Sequence, residues 1–305
     1  MVPRALLIGL VAALLIVPAT AADALPGRLL FVDGRDGIEL FDAESGQVRK
    51  FVWRAFSPAF GPRGRGFAYI REGGCFRTPK GCYTEYAIFV KSLAERATAP
   101  GRQIFGWQRF FVRSLDVAPD GHLVFSAEPG PGPSRKGRGM EIYASSRNGS
   151  RIEQLTHNRV FENDVAVSPD GRRIAFSRRV RGRGQVFTMS IDGGHVQRVT
   201  HDGKRDRSPA WSPDGRRIAY ISQPAGAAGY RKREIYSVFA TGRKPHRLTF
   251  DRATETSPAY SPDGRWIAFL KLGELWVMRA DGSAARVALS PTKPPGFEGG
   301  LDWAR

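Results

Sequence analysis

The sequence predicts an all-β fold, a six-bladed β-propeller closed by strands from both ends of the chain. Three observations carry this. First, a strand–turn–strand segment recurs. Residues 208–222 read SPAWSPDGRRIAYIS, Asp164 opens DVAVSPDGRRIAFS, and Ser257 opens SPAYSPDGRWIAFL. Weaker copies are SPAFGPRGRGFAYI from Ser57 and LDVAPDGHLVFS from Leu115. Second, two more short β-rich runs follow each copy, giving four strands in about 45 residues, the period of a propeller blade. Third, the two ends of the chain supply complementary parts of one unit.

Residues 1–24 read as a leader outside the fold. Arg4 gives a short positive region, residues 5–17 are apolar, and Ala19-Thr20-Ala21 and Ala22-Asp23-Ala24 are small-x-small cleavage sites. This is the pattern of a secretory signal peptide, and the apolar run is short for a membrane span. No cysteine follows it, which speaks against a lipoprotein. Residues 25–305 then form one propeller domain, expected outside the cytoplasm, in the periplasm or at the cell surface, and with no integral membrane segment once the leader is removed.

The blades follow in order. Residues 28–32 match the second strand of a unit, 37–42 the third and 48–51 the fourth. The missing first strand is at the other end, where Leu301-Asp302-Trp303-Ala304 aligns with Pro209-Ala210-Trp211-Ser212. Such sharing closes a ring and leaves no open sheet edge. The other blades occupy 54–107, 113–157, 162–201, 206–250 and 255–290. In each, Ser-Pro-Asp-Gly is turn chemistry: proline presets φ at the second position and glycine takes the position of positive φ. Past the turn, Ile218 and Tyr220 point one way and Ala219 and Ile221 the other, so this strand is covered on both faces. Trp303, Phe60, Trp211 and Tyr260 share one first-strand position, and Phe67, Phe176, Tyr220 and Phe269 share one second-strand position. Both sets should pack between blades.

The pattern SPDGRRIAF, then a strand such as QVFTMSIDGG, then RVT, resembles the TolB-type, WD-like propeller repeat. The likeness is close in three units, looser in two, and covers the chain after the leader. Related repeats occur in the propellers of prolyl-oligopeptidase-type peptidases and of some carbohydrate-active proteins. The resemblance implies an extracytoplasmic protein-interaction platform. TolB also carries an α/β domain before its propeller, whereas this chain runs from the leader straight into a strand, so only the platform role carries over.

The second blade holds the only two cysteines, Cys75 and Cys82, expected to form a disulfide pinning a loop in an exported chain. The net charge is +18, which bears on partners rather than on fold. Much of it falls in loops between second and third strands: Arg135, Lys136 and Arg138; Arg178, Arg179, Arg181 and Arg183; Arg231, Lys232 and Arg233. Lys204, Arg205 and Arg207 in a connection between blades are expected at the same end of the disc. A basic face for a protein or an anionic cell-envelope polymer is one reading, with nucleic acid bound only non-specifically. A global drift toward arginine is the other, since the turns at the opposite end carry Arg172, Arg173, Arg216, Arg217 and Arg265.

Glu162, Asp164, Asp206, Glu255 and Glu298 lie at or just before first strands, near the expected channel mouth. Asp116 and Asp302 fall where other blades have alanine and would line the channel, as a cation or amine site or as strand caps and partners of arginines. No G-x-S-x-G elbow, H-E-x-x-H or P-loop occurs, and the five histidines are dispersed. The expectation is a monomeric, secreted, non-enzymatic binding module with no cofactor and no metal. The alternative is a lyase or hydrolase holding acidic glycans on the basic face.

Overall fold

The repeats fold into six four-stranded antiparallel sheets. The structure is a computed structural model that describes residues 25–32, 37–78, 81–95, 99, 101–105, 110–129, 139–224, 232–251, 253–290 and 300–304. Blade 1 combines Leu301–Ala304 with Arg28–Val32, Gly37–Asp42 and Val48–Trp53. Blade 2 is Ala55–Phe60, Gly66–Thr78, Gly81–Ser92 and Arg102–Phe105. Blade 3 is Phe110–Val117, Leu123–Pro129, Glu141–Ser145 and Ile152–Gln154. Blade 4 is Glu162–Val167, Arg173–Val180, Arg183–Ser190 and Gln197–Arg198. Blade 5 is Arg205–Trp211, Arg217–Gln223, Glu234–Phe239 and His246–Arg247. Blade 6 is Glu255–Tyr260, Trp266–Lys271, Glu274–Arg279 and Arg286–Leu289. First strands contact one another around the ring, so they are innermost.

The Ser-Pro-Asp-Gly turn is wired as its residues dictate. In blade 5 the Gly215 amide donates to the Ser212 carbonyl at 2.8 Å and Gly215 has φ 67°. The Ser212 hydroxyl donates to Asp214 at 2.5 Å, and the same oxygen accepts from the Arg217 amide at 2.9 Å. Blades 4 and 6 repeat this at Ser168 and Ser261. Ring closure is as predicted, the C-terminal strand pairing with Arg28–Val32, with Leu29 opposite Trp303 and Leu30 opposite Asp302.

Alternation along each second strand feeds two interfaces at once. Ile218 and Tyr220 belong to the cluster shared with blade 4, while Ala219 and Ile221 belong to the one shared with blade 6. Six such clusters, one per blade interface, make up the core. Phe60, Trp211, Tyr260 and Trp303 are all buried there, as are Phe67, Phe176, Tyr220 and Phe269.

The second blade departs from its neighbours. Its central hairpin is thirteen and twelve residues long and projects past the blade. Cys75 stands opposite Thr84 and Cys82 opposite Arg77 on its two arms, a diagonal rather than a direct pair. The two cysteine side chains lie outside the described residues.

Candidate functional site: an arginine-lined funnel

Antiparallel strand order places the second-to-third loops and the inter-blade connections at one end of the disc. At that end the first strands of blades 2 to 6 each carry a distortion. Register shifts in blades 2, 4, 5 and 6 centre on Ser57, Asp164, Ser208 and Ser257, with φ between 50° and 55°. Positive φ in these non-glycine residues is uncommon and marks a bulge. Here it serves the channel wall, whose innermost strands are edges with amides facing inward. Ser57 Oγ accepts from the Leu115 amide at 3.1 Å, Ser114 Oγ from Val165 at 3.2 Å, and Asp164 Oδ2 from Ser208 at 3.2 Å. Each is a side chain of one blade capping the backbone of the next.

The same end opens into a cavity of about 1030 Å³. Seven arginines line it: Arg54, Arg113, Arg178, Arg179, Arg205, Arg207 and Arg233, facing three carboxyls, Glu72, Asp164 and Asp206. Aromatic rings back the guanidiniums, with Arg179 lying 5.0 Å from the centroid of Phe161. Stacking on a ring leaves the edge of a guanidinium open to bidentate contact with an anion.

The expected basic residues divide by what they touch. Arg179, Arg205 and Arg207 stand in the funnel and carry exposed or half-exposed side chains. Arg178 also lines it, but is tied to buried Glu162 at 2.6 Å and packed between Phe176 and Phe187. Arg233 is buried rather than presented on a surface. Arg181 and Arg183 are exposed on the turn of blade 4, Arg183 bonding the Gly203 carbonyl at 2.8 Å. Lys204 turns to Asp202 and the Tyr236 hydroxyl, each at 3.2 Å, and Lys232 is exposed. Arg135, Lys136, Arg138 and Arg231 lie outside the described residues. Sequence reading missed Arg54 and Arg113, although aligning repeats on the bulge reveals them. Arg54 falls three residues before Ser57, as Arg205 does before Ser208, and Arg113 directly precedes Ser114, as Arg207 precedes Ser208.

The acids at the first-strand starts are mostly structural. Glu162, Asp206 and Glu255 are fully buried, and Glu298 lies outside the described residues. Each buried acid follows a threonine by six positions: Thr156, Thr200 and Thr249. The threonine hydroxyls accept from the amides of Ile142, Val186 and Ile235 at 2.9, 3.0 and 2.9 Å. Thr249 passes its proton toward Glu255 at 3.3 Å. Burial pushes Asp206 up to about 6. Burial, then the neighbouring charge of Asp251, pushes Glu255 up to about 8.

Asp116 and Asp302 line a second cavity of about 400 Å³, at the turn end of the channel, opposite the funnel. Pro58, Pro119, Pro169, Pro209 and Pro258 collar it. Asp302 accepts from the amides of Trp303 at 2.8 Å and of Phe60, in the next blade, at 2.7 Å. Asp116 accepts from Val117 at 2.7 Å and, across the next interface, from Val167 at 2.6 Å. These carboxylates therefore clasp blade 1 to blade 2 and blade 3 to blade 4, and no arginine pairs with them among the described contacts. Burial, then the charge of Asp302, raises Asp116 to about 7, and burial raises Asp302 to about 6. Among the described residues no three His, Cys, Asp or Glu side chains are grouped to hold a metal ion.

With this geometry in hand, the fold is that of a six-bladed β-propeller similar to those of TolB structures. The family description "Tricorn protease N-terminal beta propeller domain" matches residues 138–239. The fold is similar to that of TolB from Acinetobacter baumannii, with TM-score 0.68 and 20% identity over 92% of this chain and 67% of that one. A TolB-type chain from Agrobacterium tumefaciens superposes with TM-score 0.64 and 18% identity over 87% and 89%. An oligogalacturonate lyase in complex with manganese matches with TM-score 0.57 and 14% identity over 85% and 73%. At these identities the likeness is one of fold. No curated protein sequence matches the chain.

Proposed function

We propose that the protein is an extracytoplasmic, non-enzymatic binding module whose funnel receives an anionic partner, either an acidic protein segment or an anionic cell-envelope polymer. One observation carries this reading: seven arginines from four consecutive blades converge on one cavity against three carboxyls. One of those carboxyls, Asp206, is held toward its neutral form by burial. Arginines stand at both ends of the disc, but Arg172, Arg216 and Arg265 at the turn end line no such cavity, and the channel cavity there counts only Arg63 among its lining residues. The leader pattern and the TolB-like fold support a place outside the cytoplasm. A diagonal Cys75–Cys82 disulfide in the long hairpin fits such a place.

The test compares two triple variants of equal charge change. R179S/R205S/R207S empties the funnel, and R172S/R216S/R265S strips the turn end. Binding of polyphosphate and of polygalacturonate is measured at about 50 mM and about 500 mM salt, since phosphate-type contacts weaken steeply with ionic strength. The funnel variant should lose at least about tenfold in affinity and show a shallower salt slope, while the turn-end variant stays near wild type. Equal losses in both would mean that the charge acts as background. The alternative, an acidic-glycan lyase or hydrolase, draws on the lyase neighbour and the same funnel. Release of unsaturated or reducing ends from polygalacturonate, abolished in the funnel variant, would favour it.

A further inference from the structure

Among the described residues the three most exposed large apolar side chains are Phe250, Leu272 and Trp53, at 70%, 65% and 58%. The next, Val196, Val48 and Val287, are at 43%, 40% and 39% and lie on or beside outer strands. Strand order puts the first three at the funnel end. Trp53 ends the outer strand of blade 1, directly before Arg54. Phe250 lies in the connection from blade 5 to blade 6, and Leu272 in the turn between the second and third strands of blade 6.

Leu272 is held there against its own preference. It has φ 50° and is followed by Gly273 at 83°. A two-residue hairpin turn with both φ positive favours Asn-Gly, and a leucine in this region is strained. Strain that leaves an apolar side chain in solvent points to a use for it.

Each anchor also has a cation at its foot. Lys50 Nζ sits 3.6 Å from the centroid of Trp53, and the Arg247 guanidinium 4.7 Å from that of Phe250. Lys271 adjoins Leu272 and pairs with Asp251, tying the Leu272 turn to the Phe250 connection. Asp251 and Glu274 are the acids on these two loops.

We infer that the funnel end of the disc meets an anionic lipid bilayer, with Trp53, Phe250 and Leu272 entering the headgroup layer and the surrounding arginines meeting lipid phosphates. The inference rests on the anion-binding reading of this end and names the surface that presents the anions. A protein epitope is served by one contiguous apolar patch. Here Trp53 on blade 1 stands apart from Phe250 and Leu272 at the junction of blades 5 and 6, each beside a cation, which suits a lipid surface instead. Aromatic and leucine side chains backed by Lys and Arg are the composition of interfacial attachment, and anionic lipids add attraction for each nearby cation. Among the described residues no helix is long and apolar enough to cross a membrane.

The experiment uses the full chain, so that residues 1–24 are common to every variant and differences report the loops. Co-sedimentation is measured with phosphatidylcholine vesicles, with and without phosphatidylglycerol, beside polyphosphate binding as the soluble probe. The wild type should bind vesicles only when phosphatidylglycerol is present. W53S/F250S/L272S should lose about tenfold or more on vesicles, from the lost burial of three apolar side chains, and keep its affinity for polyphosphate. Brominated acyl chains should quench part of the tryptophan emission of wild type, and W53F should remove that part while still sedimenting. Vesicle binding equal in wild type and the apolar variant overturns the inference. So does an absence of vesicle binding, which leaves a protein or polymer as occupant. Loss of polyphosphate binding in R179S/R205S/R207S keeps the anion reading in either case.

Discussion

Trp303→Ala tests whether the C-terminal strand is the clasp of the ring. Trp303 is 6% exposed and packs with Leu29, Phe31, Ala259 and Trp266 at the junction of blades 6 and 1. Its indole nitrogen donates to the Pro26 carbonyl at 2.6 Å. Truncating a buried tryptophan costs about 3–5 kcal/mol, and losing the hydrogen bond adds about 1 kcal/mol. The sum, about 4–6 kcal/mol, is a large part of the ~5–15 kcal/mol that holds a typical domain together. For a chain of this size it should lower Tm by roughly 7–10 °C. The assay is thermal unfolding followed by circular dichroism, with Trp53→Ala as control. Trp53 is 58% exposed and stacks only on Lys50 within the described contacts, so its loss should cost no more than about 1 kcal/mol. A Trp303→Ala chain melting within about 3 °C of wild type would refute the clasp.

Three further outcomes are expected. The channel aspartates have folded pKa values raised to about 7 and about 6 from the ordinary 3.8. In that window the native state binds more protons than the unfolded chain, so their contribution is fully present below pH about 4 and is lost as pH rises toward 7. Asp206 and Glu255 act in the same sense, while growing positive charge at low pH opposes them. Asp116→Asn should therefore make Tm rise less, or fall more, from pH 8 to pH 5 than wild type does, and an unchanged slope in the variant would sink the account. Arg178→Ala leaves Glu162 buried without its cation, a loss of about 3–5 kcal/mol by urea unfolding; a loss below about 1 kcal/mol would show that the ion pair holds little of the blade 4 fold. Thiol titration of unfolded protein purified from an oxidising compartment should find no free thiol if Cys75 and Cys82 are joined, and two if the diagonal spacing keeps them apart.

Much of the fold was legible because the repeat carries its own redundancy. Ser168, Ser212 and Ser261 open the same turn with the same hydrogen bonds, so one reading served three blades. Ring closure was legible because Leu301-Asp302-Trp303-Ala304 aligns with a first strand, Trp303 falling on Trp211. The bulges were not, because positive φ at Ser57, Asp164, Ser208 and Ser257 falls on residue types that do not announce it. Glycine would have shown itself, but serine and aspartate are recruited here for side chains that cap the next blade.

The site was less legible, and for a related reason. Basic loops can be counted along the chain, but which arginines converge depends on where each first strand begins relative to its bulge. Arg233 looks like a loop cation in sequence and is buried. Arg178 looks the same and is engaged by Glu162. Arg54 and Arg113 look incidental and line the funnel. The channel aspartates show the converse. An aspartate in place of alanine left a cation site and a strand cap both open, and the partners are backbone amides, including those of the following blade. Inner strands of a ring are edges turned toward each other, and their free amides are met by whatever acceptor the previous blade offers. Residues that face the channel therefore do structural work first, and ligand binding falls to those set outside that capping layer, in the arginines of the funnel wall.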